Sequence, residues 1–316
     1  MFIKVLVVGD FYPSVISSLK EEFDVHHIKK RDGFAALSID ELAEVEGFAT
    51  FGWAPADVID KMPRLKCISS FGVGYDGVAA QHAADKGIVT CHTPNVLNDD
   101  VANTTILLIL ATMRRLIEQD AYARVGRWEH QGDAPLTTSI AGKTVGIVGL
   151  GRIGEAIAHK LSVFNCMVVY HSRNKKDVEY KYYADLREMA AASDVLVCIT
   201  PGGPATKHLI NREIIDALGP DGALINISRG SVIDESALVA ALQDGRLGGA
   251  GLDVFENEPK IPDALKDMKN VTLTPHVGSA TVETRQAMAD LVVENLITFF
   301  KDGKPTAPVP EAQGLL

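Results

Sequence analysis

Three segments hold the residue types that could do chemistry: Asn226-Ile227-Ser228-Arg229-Gly230, Gly251-Leu252-Asp253-Val254-Phe255-Glu256-Asn257-Glu258-Pro259 and Thr274-Pro275-His276-Val277-Gly278-Ser279. Each follows an apolar, strand-like run. Each is therefore expected at the carboxyl edge of an α/β sheet, where ligands bind in such folds. Singly, their functional residues have ordinary readings: an arginine is usually a surface charge, a glutamate before proline a solvated loop residue, a histidine a structural one. Together they form a set. Arginine keeps its charge and presents a planar fork that matches a carboxylate. Imidazole titrates near neutrality and can move a proton.

Upstream of the set, Val145-Gly146-Ile147-Val148-Gly149-Leu150-Gly151-Arg152-Ile153-Gly154 fits GxGxxG, with a strand before it and a helix after. Gly149 permits the tight turn, Gly151 lets a pyrophosphate approach the backbone, and Gly154 lets helix and strand pack closely. The helix N-terminus adds free N–H groups and a positive dipole end. The stretch Gly149, Leu150, Gly151, Arg152, Ile153 and Gly154 is the expected dinucleotide site. It lies mid-chain, so a whole domain precedes it. The next strand, Met167-Val168-Val169-Tyr170, runs into His171-Ser172-Arg173-Asn174 with no carboxylate at its end; Asp177 comes only after Lys175 and Lys176. A carboxylate there would bind a ribose 2′-hydroxyl and repel a 2′-phosphate. Ser172 and Arg173 can instead bond the phosphate, so NADPH is the expected cofactor, with NADH as a second possibility. Lys175 and Lys176 read as a solvated basic turn.

The elements that position these residues alternate between strand-like and helical patterns, the mark of parallel α/β sheets. The first series has strands at Lys4–Val8, Val25–Ile28, Gly47–Phe51, Lys66–Ser70 and Ile88–Cys91, with a helix at Ser14–Glu22 that Ser14 could cap. Asn98-Asp99-Asp100 is expected to cap a long apolar helix from Val101 to Arg115, buried on most of its surface. The second series has strands at Thr144–Val148, Val168–Tyr170, Val195–Ile199, Ala223–Ile227, Gly249–Asp253 and Val271–Leu273. A last long helix, Thr281 to Phe300, could pack back on the first domain. The expected fold is two Rossmann-like, doubly wound parallel-sheet domains with the active site in the cleft between them. Residues 1–98 with 286–316 form the substrate-binding domain, and 99–285 the dinucleotide-binding domain.

A chain of 316 residues with 47% hydrophobic and 23% charged residues has the balance of a water-soluble two-domain protein. The net charge of −10 opposes binding to a nucleic acid backbone. Cys67, Cys91, Cys166 and Cys198 form neither a CxxC pair nor a zinc spacing, so reduced thiols in a cytoplasmic protein are expected. The N-terminus opens on a strand and not on a signal peptide, and the most apolar run, Ile106 to Met113, is too short to cross a bilayer. Trp53 and Trp128 could border a substrate pocket, with ordinary packing the expected role.

On these ordered motifs, with Phe71-Gly72-Val73-Gly74-Tyr75-Asp76 and Thr93-Pro94-Asn95-Val96-Leu97, the sequence resembles the D-2-hydroxyacid dehydrogenases over nearly its whole length. The likeness is greatest to the glyoxylate/hydroxypyruvate and hydroxyphenylpyruvate reductase branch. The resemblance implies reduction of a small 2-keto acid, with aryl pyruvates as the alternative. It implies that Arg229 holds the substrate carboxylate, that His276 donates a proton to the carbonyl oxygen, and that Glu258 orients His276 and favours its protonated form. Val73 and Gly74 would offer backbone N–H groups to the carboxylate, and Ser279 would line the substrate site. Asp253, near the nicotinamide, would join Ile227, Ser228, Arg229 and Gly278 in holding the cofactor. No metal is needed, since Arg229 and His276 polarise the carbonyl.

Glu258 argues against the related formate dehydrogenases, which carry glutamine there. A phosphoglycerate dehydrogenase with an extra regulatory domain is disfavoured by length. A dinucleotide-sensing corepressor on the same fold would have the cofactor site without turnover. The apolar helix from Val101 and the arm to about Ile140 suggest a homodimer through the cofactor domain.

Overall fold

The structure is a computed structural model that describes residues 2–316. Its described residues divide into two compact units, residues 2–97 with 281–316, and residues 98–280. The first unit is a five-stranded parallel sheet of β1 (Lys4–Val8), β2 (Asp24–Ile28), β3 (Gly47–Thr50), β4 (Cys67–Ser70) and β5 (Val89–Cys91), in the order β2-β1-β3-β4-β5. Its β1, β3 and β4 read as near-continuous apolar or small residues because helices cover both faces of such a sheet. Leu6, Val8, Phe48, Ile59, Met62 and Ile68 form one core cluster. The helix Val282–Asp302, capped by the Thr281 side chain on Thr284 N–H, packs on β4 and on the helix Pro13–Glu22 of this unit. Its Asn295 is fully buried.

The second unit is a seven-stranded parallel sheet: β6 (Thr144–Val148), β7 (Met167–His171), β8 (Lys181–Tyr182), β9 (Val195–Cys198), β10 (Ala223–Asn226), β11 (Gly249–Leu252) and β12 (Val271–Leu273). The order β12-β11-β10-β9-β6-β7-β8 reverses direction between β6 and β9. That switch point opens a crevice at the carboxyl ends of the strands. The helix Asn98–Met113 packs on β11 and on the helix Arg152–Leu161. Gly251 makes this approach possible: a Cβ there would lie 2.8 Å from Thr112 Oγ1 and 3.2 Å from Leu108 Cβ.

Three local expectations are corrected, and one strand was not expected. Ser14 does not cap its helix; the helix begins at Pro13, whose fixed φ suits the first helical position, and no side chain caps it. Asn98, Asp99 and Asp100 form the first turn of their helix rather than preceding it, which places the two aspartates at the positive end of its dipole. That helix stops at Met113, because Arg115 adopts a left-handed φ of 46°, and two shorter helices follow, Leu116–Arg124 and Arg127–Gln131. Strand β8 is two polar residues long, with no apolar pattern to announce it.

Candidate active site

The glycine turn closes β6 and opens the helix Arg152–Leu161. Gly149 has φ +103°, a conformation that L side chains avoid, and its N–H donates to the His171 carbonyl at 2.8 Å. A Cβ on Gly154 would lie 2.3 Å from the Gly149 oxygen, so only glycine allows the helix this close. A Cβ on Gly151 would meet no protein atom. The space over the helix N-terminus is therefore open, and no side chain caps that end. These features fit a dinucleotide pyrophosphate. The Leu150 side chain is buried, so only its backbone can face a ligand, while Arg152 is exposed and Ile153 half-buried.

His171 ends β7, in register with Val148, so the turn Ser172–Asn174 begins beside the glycine turn. The Ser172 hydroxyl donates to the Asn174 carbonyl at 2.6 Å and closes that turn. Arg173 is exposed.

The three later segments follow β10, β11 and β12, which are neighbours in the sheet. After β10, the buried Asn226 shapes the turn. Its amide nitrogen donates to the Arg229 carbonyl at 2.9 Å, and its oxygen accepts from the Ser228 hydroxyl at 2.8 Å and the Ser228 N–H at 3.1 Å. The Arg229 guanidinium donates to the Ser228 carbonyl at 2.8 Å. Gly230 is the contact point with the next loop: a Cβ there would lie 1.9 Å from the Phe255 carbonyl carbon and 2.3 Å from the Glu256 nitrogen.

Glu258 lies in the loop after β11, preceding Pro259 through a cis bond. Its Oε1 accepts from the Phe255 N–H at 3.0 Å, and its Oε2 lies 2.7 Å from His276 Nδ1. Burial acts to raise the Glu258 carboxyl, but the His276 and Phe255 hydrogen bonds and the charges of His276 and Arg229 outweigh it, and the group is held below its ordinary value. An ionised carboxylate only accepts, so Nδ1 of His276 carries the proton and Nε2 is the nitrogen left for chemistry.

His276 has a left-handed φ of 54°. The hydrogen bonds around it explain how that is held. Its N–H donates to the Asp253 carbonyl at 2.8 Å. The Asp253 carboxylate, 1% exposed, accepts from the Thr274 hydroxyl at 2.7 Å, the Val277 N–H at 2.8 Å and the Gly278 N–H at 2.9 Å. Asp253 thus binds the loop that carries His276. Thr104 adds a bond from its hydroxyl to the Gly278 carbonyl at 3.2 Å. Ile227 is buried, and a Cβ on Gly278 would lie 3.4 Å from its Cδ1. Ser279, half-buried, follows at the loop's end.

The structure thus brings Arg229, Glu258 and His276 to one edge of one sheet, together with Ile227, Ser228, Asp253, Gly278 and Ser279. Val73 and Gly74 belong to the other unit, in the loop after β4 at that sheet's carboxyl edge. Sequence reasoning missed Asn226 and Thr274 as loop-shaping residues. The polar ends they give to apolar strands were the only local signal. Among the described residues no cluster of three or more His, Cys, Asp or Glu could hold a metal, and no helix is long and apolar enough to cross a membrane.

Known proteins resemble the chain over most of its length. The chain is 53% identical over 273 residues to a hydroxyphenylpyruvate reductase from Plectranthus scutellarioides, covering 86% of each chain. It is 50% identical over 271 residues to a glyoxylate/hydroxypyruvate reductase A from Arabidopsis thaliana, covering 85% of this chain and 86% of that one. Its fold matches the crystal structure of an NADPH-dependent glyoxylate/hydroxypyruvate reductase from Sinorhizobium meliloti in complex with NADP and malonate. That match has a TM-score of 0.95 at 45% identity and covers 99% of this chain and 98% of the other. Residues 106–278 match the NAD-binding domain of the D-isomer-specific 2-hydroxyacid dehydrogenases, and the chain belongs to that family.

Proposed function

We propose that the chain reduces a small 2-keto acid, glyoxylate or hydroxypyruvate, to the D-2-hydroxy acid with NADPH. The observation that carries this reading is the His276–Glu258 pair at 2.7 Å, with the Arg229 charge acting on the same carboxylate, on the sheet edge that bears the glycine turn. Arg229 holds the substrate carboxylate, and its fixed, forked guanidinium orients the keto group. His276 gives the Nε2 proton to the carbonyl oxygen, and Glu258 keeps the ring turned for that transfer. Val73 and Gly74 supply N–H groups to the carboxylate, and Ser279 lines the substrate site. When bound, NADPH supplies the hydride to the keto carbon.

Gly149 to Gly154 cradle the pyrophosphate. Ile227, Ser228, Arg229, Gly278 and Asp253 hold the nicotinamide end. Asp253 has about four acceptor positions, of which the loop takes three. The cofactor preference rests on His171, where an NAD-selective strand would end in a carboxylate, and on the exposed Arg173 beyond it, with Ser172 shaping their turn. Homodimer formation through the helix from Val101 and the arm to about Ile140, and residence in the cytoplasm, complete the reading. The four free cysteines support the second of these.

The 53% identity to a hydroxyphenylpyruvate reductase favours aryl pyruvates as a second substrate class. The test is kcat/KM for glyoxylate, hydroxypyruvate and hydroxyphenylpyruvate, each with NADPH and NADH, in wild type and Arg173→Ala. The reading expects the small acids and NADPH to win, and Arg173→Ala to lose roughly tenfold or more with NADPH only. Absence of turnover with all three acids would remove the enzymatic reading. A wild-type preference for NADH, or an unchanged preference in Arg173→Ala, would remove the role of that turn.

A further inference from the structure

We propose that the buried His92 is a positioning residue that aims the Gly74 N–H at the substrate carboxylate. This rests on the carboxylate reading of the Val73–Gly74 loop above. In a trans peptide unit the C=O and the N–H point in opposite directions. Fixing a carbonyl therefore fixes where the next residue's N–H aims.

Both carbonyls that matter are fixed from the two residues that follow β5. The Thr93 N–H donates to the Gly72 carbonyl at 2.9 Å, which turns the Val73 N–H away from β5. His92 Nδ1 lies 2.9 Å from the Val73 carbonyl, which turns the Gly74 N–H away in the same manner. A carbonyl only accepts, so His92 Nδ1 carries the proton. That donor is present in one neutral tautomer and in the imidazolium alike. Among the described residues, neither the Val73 nor the Gly74 N–H has an acceptor within the chain. Two consecutive amides with tethered carbonyls make a small anion-binding concavity.

The tether is itself anchored. His92 is 7% exposed, and its ring meets Tyr75 edge-on with centroids 5.3 Å apart. Its carbonyl accepts from the Asn295 amide at 3.1 Å, and its N–H donates to the Ala307 carbonyl at 3.1 Å. The Thr93 hydroxyl accepts from the Gly72 N–H at 2.9 Å, which closes the loop a second time. The Nδ1 bond of this buried imidazole goes to the peptide unit that presents Gly74.

Two variants separate the bond from the bulk. His92→Phe keeps an aromatic ring against Tyr75 and removes the donor. His92→Asn places an amide N–H close to where Nδ1 stood. The readouts are KM and kcat for glyoxylate, KM for NADPH, the ratio of kcat/KM for glyoxylate to that for its neutral amide, and the thermal midpoint. His92→Phe is expected to raise KM for glyoxylate about tenfold, to lower the acid-to-amide ratio by a similar factor, and to leave KM for NADPH unchanged. His92→Asn is expected to stay within about threefold of wild type on both measures. Overturning results are wild-type values in His92→Phe, or a His92→Asn variant that folds like wild type yet behaves like His92→Phe. A wild-type enzyme that turns over glyoxylate and its amide equally well would instead remove the carboxylate reading of the loop itself.

Discussion

At the scale of single residues, His276 is the strained one within the Arg229, Glu258 and His276 set. A non-glycine residue in the left-handed region costs about 1–3 kcal/mol and persists only where its surroundings fix it. Here the fixing groups are the Asp253 carbonyl on the N–H and Glu258 on Nδ1. The consequence for activity is direct. His276→Ala should lower turnover by at least about a hundredfold while NADPH binding, followed by fluorescence titration, stays near wild type. Glu258→Gln keeps the shape and removes the charge, and it should lose turnover by a smaller factor. Glu258 also sets a pH dependence. Its folded value lies below the ordinary 4.5, so the stability it contributes is fully present above that pH and is lost as pH falls through the depressed value. The gap in thermal midpoint between wild type and Glu258→Gln should persist from neutral pH down to about 5 and should close only in stronger acid. A gap that already closed between pH 7 and 6 would mean that Glu258 is not held ionised by His276 and Arg229.

At the scale of elements, three loops after adjacent strands are locked to one another. Gly230 is where the first two touch. Gly230→Ala would drive a Cβ into the Phe255 backbone at 1.9 Å, and backbone cannot rotate aside as a side chain can. The variant should lose about 1–3 kcal/mol of stability and also turnover, although Arg229, Glu258 and His276 all remain. Chemical denaturation beside a glyoxylate assay checks both, and wild-type activity in the folded variant would show that the Arg229 and Glu258 loops are not coupled there.

How much of this the sequence discloses depends on whether the signal is local. The GxGxxG turn, the Arg229, Glu258 and His276 segments and most strands are visible because each needs only neighbouring residues. The loop-holding contacts of the Asp253 carboxylate and the His92 tether are not visible, because their partners are set by strand order. Asp253 lies beside Thr274 only because β11 pairs with β12. His92 lies beside Val73 only because β4 pairs with β5. The end of the long helix at Met113 was equally hidden, since Arg115 carries no residue-type signal for its left-handed conformation.

At the scale of the whole molecule, the surface of residues 107–136 is the unusual part. Leu107 is 54% exposed, Ile117 60%, Val125 65%, Trp128 66% and Leu136 98%, all within one run of chain in the cofactor unit. The arm that carries Leu136 is not loose. Thr137 accepts from Arg114 at 2.8 Å, the Thr138 N–H donates to the Met113 carbonyl at 3.2 Å, and Gln119 donates to the Pro135 carbonyl at 3.1 Å. Leu136 is thus held out in solvent by a backbone tied on both sides of it. A single exposed leucine on a monomer needs no explanation, but a fixed series of large apolar side chains is a surface that the proposed dimer would cover. A second copy is the simplest partner, since most soluble oligomers are symmetric homo-oligomers. Light scattering at micromolar concentration should return twice the chain mass of 34.0 kDa. Trp128→Glu combined with Leu136→Asp should shift the mass toward that of one chain. NADPH binding should be retained, because neither residue lies in the glycine turn or the loops after β10, β11 and β12. A wild-type protein that scatters as a single chain at micromolar concentration refutes the dimer. A double variant that stays dimeric with cofactor bound moves the interface away from this arm.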